Sequence, residues 1–139
     1  MVSLVTLGTP NQGSELADDY NWAGYFIGAT AAMRDLRPSF VRNTFNKRYP
    51  AKGALLANGG RIYTIRGDCD GWDCWGWGGE LALGWETLRW IHWGDNDGLV
   101  PNNAVKITGA IHLADFRSYD HMDLVRKSSV AKKAASVLK

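Results

Sequence analysis

Gly94-Asp95-Asn96-Asp97-Gly98-Leu99-Val100-Pro101 is the stretch on which the reading turns, taken together with Tyr119-Asp120-His121-Met122-Asp123-Leu124. Asp97 opens an acidic turn, and His121 follows it by 24 residues, after a short apolar run. A carboxylate held against an imidazole fixes one tautomer, and that imidazole can then take a proton from a weak nucleophile. In a parallel sheet both residues fall in loops at the carboxyl ends of strands, where open α/β sheets bind ligands. The plainer reading is a tight Asp-Gly turn and a histidine beside a helix cap.

Three more segments, in order, bear on the choice. Leu7-Gly8-Thr9-Pro10-Asn11-Gln12-Gly13-Ser14 follows the apolar run of residues 2–7. It resembles the strand and loop after the nucleophile helix of bacterial triacylglycerol lipases, which read Leu-Gly-Thr-Pro-His-x-Gly-Ser there. Met33-Arg34-Asp35-Leu36 with Phe45-Asn46 resembles the segment beneath the lid of that family. Asn96-Asp97-Gly98-Leu99-Val100-Pro101 and Asp120-His121-Met122-Asp123 resemble its triad Asp and triad His motifs. The matches span nearly the whole chain, which resembles the C-terminal half of such a lipase. Two departures stand out: Asn11 replaces the usual His, and no Ser sits in the Gly-x-Ser-x-Gly elbow that carries the α/β-hydrolase nucleophile.

The resemblance implies a partial α/β-hydrolase fold and a lipase or carboxylesterase activity on ester lipids, with contact at a lipid–water interface. Asp97 and His121 would be the triad carboxylate and base, and a lid-like helical region would cover roughly residues 14–60. It also implies export, although no signal peptide is visible in the chain. Asp123 matches a calcium ligand of the family, whose partner Asp precedes the triad Asp. Asp73 is the nearest candidate here, with Asp68 and Asp70 behind it, and several carboxylates suit a hard cation. An acidic solvated loop and a helix-initiating Asp123 are the alternatives. For the nucleophile, Ser14 is the best substitute within the chain; its other role would be to cap a helix. Ser118 reads as part of a strand.

Composition agrees with one folded domain over residues 1–139. Hydrophobic residues make up 45% and charged residues 22%, and the net charge of +2 argues against nucleic acid as a partner. No run of apolar residues is long enough to span a bilayer. Cys69 and Cys74 sit in a Gly- and Trp-rich loop, where a small disulfide is favoured and a metal site is the alternative.

The rest is read from periodicity. Residues 2–7, 61–66 and 111–116 predict about three strands, and alternation with helices favours a parallel sheet. Helices are expected from Ser14 towards Met33, within 34–46 starting at Pro38, for a turn or two in 80–90, briefly at 102–107, and over 123–138. The first strand would expose an apolar edge, which predicts a homo-oligomer or a partner. Six of the seven Trp lie from Trp72 to Trp93, a pattern that suits lipid or sugar contact as well as core packing. Three classes therefore stand: a truncated ester hydrolase, a non-catalytic folded fragment, and a lipid- or carbohydrate-binding module.

Overall fold

The computed structural model describes residues 3–19, 30–51, 53, 56, 59–75, 79–92 and 94–138. Three strands form a parallel sheet in the order β1 (Leu4–Leu7), β2 (Ile62–Asp68), β3 (Ile111–Arg117). β-branched residues and Leu dominate β1 and β2, as expected of parallel strands. Leu7 pairs with Ile65, and Gly67 with Phe116, so the three strands end together at one edge. The register of β2 against β3 slips between Thr64 and Ile65, where Leu113 is the extra residue of a bulge.

Helices surround this sheet. α1 is Leu16–Asp19 and α2 is Thr30–Asp35; the span expected between them, including Tyr20, Ala23 and Ile27, lies outside the described residues. α3 (Pro38–Phe40) starts at Pro38, as its fixed φ and missing N–H favour, and runs through a π-helical turn (Val41–Phe45) into α4 (Asn46–Arg48). α5 (Glu80–His92) has 13 residues, longer than the one or two turns predicted. Leu81 and Leu88 are both 0% exposed, and Gly84 lies between them on the same face. Burial of each leucine contributes about 2 kcal/mol, which outweighs the weak helix propensity of Gly84. A 3-10 turn (Asn102–Val105) follows.

The last predicted helix is two, α6 (Asp123–Arg126) and α7 (Ser128–Ala135), because Lys127 is extended (φ −82, ψ 128). The break re-aims α7 so that Val130 joins Leu124 and Ile65 in one cluster, with Val5, Leu7 and Phe116 against it. Ser118 is not in a strand. It lies one residue past β3 with φ 61, a left-handed turn that costs a non-glycine residue about 1 kcal/mol. Its N–H is held by the Asp68 carbonyl at 2.8 Å, and the chain turns back from there towards Asp97. Among the described residues no helix is long and apolar enough to cross a membrane.

Candidate active site

Asp97 and His121 meet where the three strands end. His121 Nδ1 donates to Asp97 Oδ2 at 2.8 Å, and the His121 backbone N–H donates to the Asp97 carbonyl at 2.8 Å. Asp97 Oδ1 accepts the N–H groups of Leu99 (3.1 Å) and Val100 (2.8 Å), closing an Asx-type turn on its own backbone. The carboxylate is thus 1% exposed yet satisfied on both oxygens, while the His121 side chain keeps 26% exposure. Nε2 makes no hydrogen bond among the described residues. An imidazole held at Nδ1 and open at Nε2 is the arrangement that accepts a proton from a hydroxyl.

The surroundings enforce this geometry. Gly98 takes φ 90, and α5 approaches so closely that a Cβ on Gly84 would overlap the Gly98 carbonyl oxygen. Gly8, at the end of β1 with φ 53, backs onto the pair: a Cβ there would stand 2.8 Å from Asp97 Oδ2 and 3.0 Å from His121 Nδ1. Asn96, fully buried, accepts the Gly98 N–H at 2.9 Å. Asp120, 5% exposed, accepts the N–H groups of Met122 (2.8 Å) and Asp123 (2.9 Å) at the start of α6. Sequence reasoning passed over Asp120, although an Asp three residues before a helix-starting Asp123 is a capping signal.

Burial works to lower the His121 pKa, but the Asp97 hydrogen bond and charge, with the charge of Asp120, outweigh it and raise the pKa above the ordinary histidine value. The imidazolium is therefore favoured in place, as a base that becomes charged during reaction requires.

The other predicted site residues lie elsewhere. Ser14 is 6% exposed, and its Oγ donates to the Leu99 carbonyl at 2.6 Å. That bond ties β1's loop to the Asp97 turn. The expected helix-cap role is corrected, because the hydroxyl reaches across the chain rather than to a helix N–H. No described serine is hydrogen-bonded to His121. Asp123 lies 3.5 Å from Lys127 Nζ on α6, and the Asp73 N–H is held by the Asp70 carbonyl. Among the described residues there is no group of three or more His, Cys, Asp or Glu that could hold a metal ion. Cys69 and Cys74 form a disulfide, and Cys69 bridges to Asn96. The bridge holds the Trp-rich loop against the turn that carries Asp97.

No protein-family model matches the sequence, and no curated relative does. Among solved structures the chain is similar to lipase BlEst2 of Bacillus licheniformis in mature form (TM-score 0.73, 25% identity, over 100% of this chain and 56% of that one). The propeptide form of the same lipase gives a TM-score of 0.70 at 23% identity, over 100% of this chain and 30% of that one. A metagenomic carboxyl esterase, MGS0156, gives 0.65 at 17% identity, over 96% of this chain and 43% of that one. The chain thus spans about half the length of mature BlEst2. With its three parallel strands and flanking helices, it has a bacterial lipase- and esterase-like α/β fold.

Proposed function

We propose that the chain carries the acid–base half of a serine ester hydrolase of the lipase or carboxylesterase type, acting on ester lipids. The observation that carries this reading is the 2.8 Å bond from His121 Nδ1 to buried Asp97, with Nε2 left open. His121 is the general base. Nε2 takes the proton of a hydroxyl as that oxygen bonds to the ester carbonyl carbon, then returns it to the departing alcohol. Asp97 fixes the tautomer and stabilises the imidazolium. In this proposal the nucleophile and the oxyanion donors belong to a polypeptide segment outside these 139 residues, and Ser14 keeps the structural role its bond to Leu99 gives it.

Related features support the setting. The Cys69–Cys74 bridge supports an oxidising, extracellular compartment. Trp72, Trp75, Leu83 and Trp90 are exposed, which supports contact with a lipid–water interface. Among the described residues β1 pairs with β2 alone, which supports association through its free edge; sedimentation of the purified chain tests this. Asp73 and Asp123 are the candidates for a structural calcium ion, whose shell backbone carbonyls and water can complete, and a calcium titration followed by calorimetry tests it.

A second reading, a folded chain without catalysis, is favoured by the engagement of Ser14 Oγ with Leu99. A fluorophosphonate probe separates the two. With a polypeptide that supplies the nucleophile present, labelling of its serine and turnover of a short-chain nitrophenyl ester, both falling about 10⁴-fold when the chain carries His121→Ala and unchanged with His112→Ala, are the expected results for the hydrolase. A folded chain that neither labels nor turns over ester, with or without a polypeptide that supplies the nucleophile, establishes the non-catalytic reading instead.

A further inference from the structure

A cleft of about 780 Å³ lies beside the Asp97 turn, between the Cys69 loop, α5 and the chain leaving β3, and neither Asp97 nor His121 lines it. Its size falls within the range of ~300–1,000 Å³ usual for small-ligand sites. Trp85 and Trp90, both from α5, give it an aromatic wall, and Trp90 is 70% exposed. Most of the rest of the described lining is charged, in both signs. Asp68, Asp70, Glu86 and Asp95 bring carboxylates, and Arg89 and Arg117 bring guanidinium groups.

The chemistry of this lining narrows the ligand. An acyl chain would leave six charged groups unsolvated against it. An anion would meet four carboxylates, and burial together with the nearby charge of Asp95 already raises the Asp68 pKa above its ordinary value. A simple cation finds part of the wall taken, because Arg89 lies 5.1 Å from the Trp85 ring centroid and occupies the place a cation would use there. A neutral polyol suits what is left of the lining. Its hydroxyls donate to carboxylates and accept from guanidinium N–H groups, and, with Arg89 over Trp85, the C–H face of a sugar ring lies on the exposed indole of Trp90.

We infer that this cleft is a second, non-catalytic site for a neutral hexose-based ligand, either a free oligosaccharide or the sugar headgroup of a glycolipid. The inference does not rest on the hydrolase reading, and an inert chain would still bind. Intact chain titrated with cellobiose, maltose and lactose is expected to show millimolar binding of at least one, by calorimetry and by a change in Trp emission. Trp90→Ala and Glu86→Gln are each expected to weaken it about 10-fold. Trp72→Ala removes a Trp that is 84% exposed and outside the cleft, and leaves binding unchanged. Binding to phosphatidylcholine vesicles only when they carry digalactosyl diacylglycerol, without binding of free disaccharides, assigns the headgroup as the source. No binding of either at about 20 mM sugar by chain with native circular dichroism overturns the proposal. So does preferential binding of spermidine, or sugar binding that Trp72→Ala abolishes and Trp90→Ala spares.

Discussion

Among the described residues two Asp–His pairs lie at opposite ends of the sheet. His121 lies beyond the end of β3 and meets Asp97 across 24 residues of chain, with Asp97 1% exposed. His112 lies at the start of β3 and meets Asp115 three residues away at 2.9 Å, with side chains 41% and 42% exposed. The second pair is spent. Arg66 grips both oxygens of Asp115, from Nε at 2.5 Å and from the second guanidinium nitrogen at 2.8 Å, and His112 Nδ1 is bonded to Thr64. In the first pair the carboxylate is held by neutral N–H groups, so its charge still acts on the imidazole, and Nε2 stays open. Composition alone does not make an acid–base site. An uncancelled charge and an unspent nitrogen are also needed to make a pair a candidate, and here both occur at the carboxyl end of the sheet, where α/β folds place ligands.

Truncating each carboxylate is the strongest way to break this comparison. Asp97→Ala strips partners from the buried N–H of Val100, from the Leu99 N–H and from His121, and is expected to destabilise the fold by about 3 kcal/mol. Asp115→Ala removes a half-exposed ion pair and is expected to cost about 1 kcal/mol or less. Urea unfolding followed by circular dichroism measures both. Equal losses would mean that the Asp97 turn is no better built than a surface bridge.

The contrast also explains what could be read from the sequence. The pairing of Asp97 with His121 was legible from the ordered motifs that resemble those of bacterial lipases, since an Asp-Gly turn and a strand-end His alone suit a plain turn, and the parallel sheet was legible from three β-branched runs. The Arg66–Asp115–His112 network was not. Residues i and i+3 of a flat strand point to opposite faces, and only the bulge at Leu113 brings His112 and Asp115 onto the face of Thr64 and Arg66. The role of Ser14 was equally hidden, since its partner Leu99 is 85 residues away. The break at Lys127 follows from packing Val130 against Ile65, a tertiary demand that overrides a continuous helical pattern.

The disulfide offers a smaller perturbation that reaches only one of the pairs. Cys69 and Cys74, five positions apart, close a short loop, and the Cys69 N–H donates to the Asn96 carbonyl at 3.2 Å, next to Asp97. Chain-entropy arguments give about 2 kcal/mol for so short a loop. Replacement of both cysteines by Ser is expected to lower stability by that amount and to shift the His121 imidazole resonances in an NMR titration, leaving those of His112 in place. Movement of both histidines would show that the two ends of the sheet are mechanically one unit.

Titration gives the finest and smallest test, because the two pairs oppose each other in sign. His121 has a raised pKa in the fold: burial lowers it, and Asp97 and Asp120 more than offset that. Its contribution to stability is fully present below the unfolded histidine pKa of about 6.5 and is lost as pH rises through the higher folded value. Asp115 has a lowered pKa, chiefly through its hydrogen bonds from Arg66. Its contribution is present above the unfolded Asp pKa of about 3.9 and is lost as pH falls through the lower folded value. Urea midpoints measured across pH should therefore show an alkaline decline that His121→Ala flattens and an acid decline that Asp115→Asn flattens. Under the proposed function, in which turnover needs neutral His121, ester hydrolysis should rise at a pH above the ordinary histidine range for the same reason. An alkaline limb unchanged in His121→Ala would mean that Asp97 does not hold the imidazolium, and the distinction between the two pairs would then reduce to burial alone.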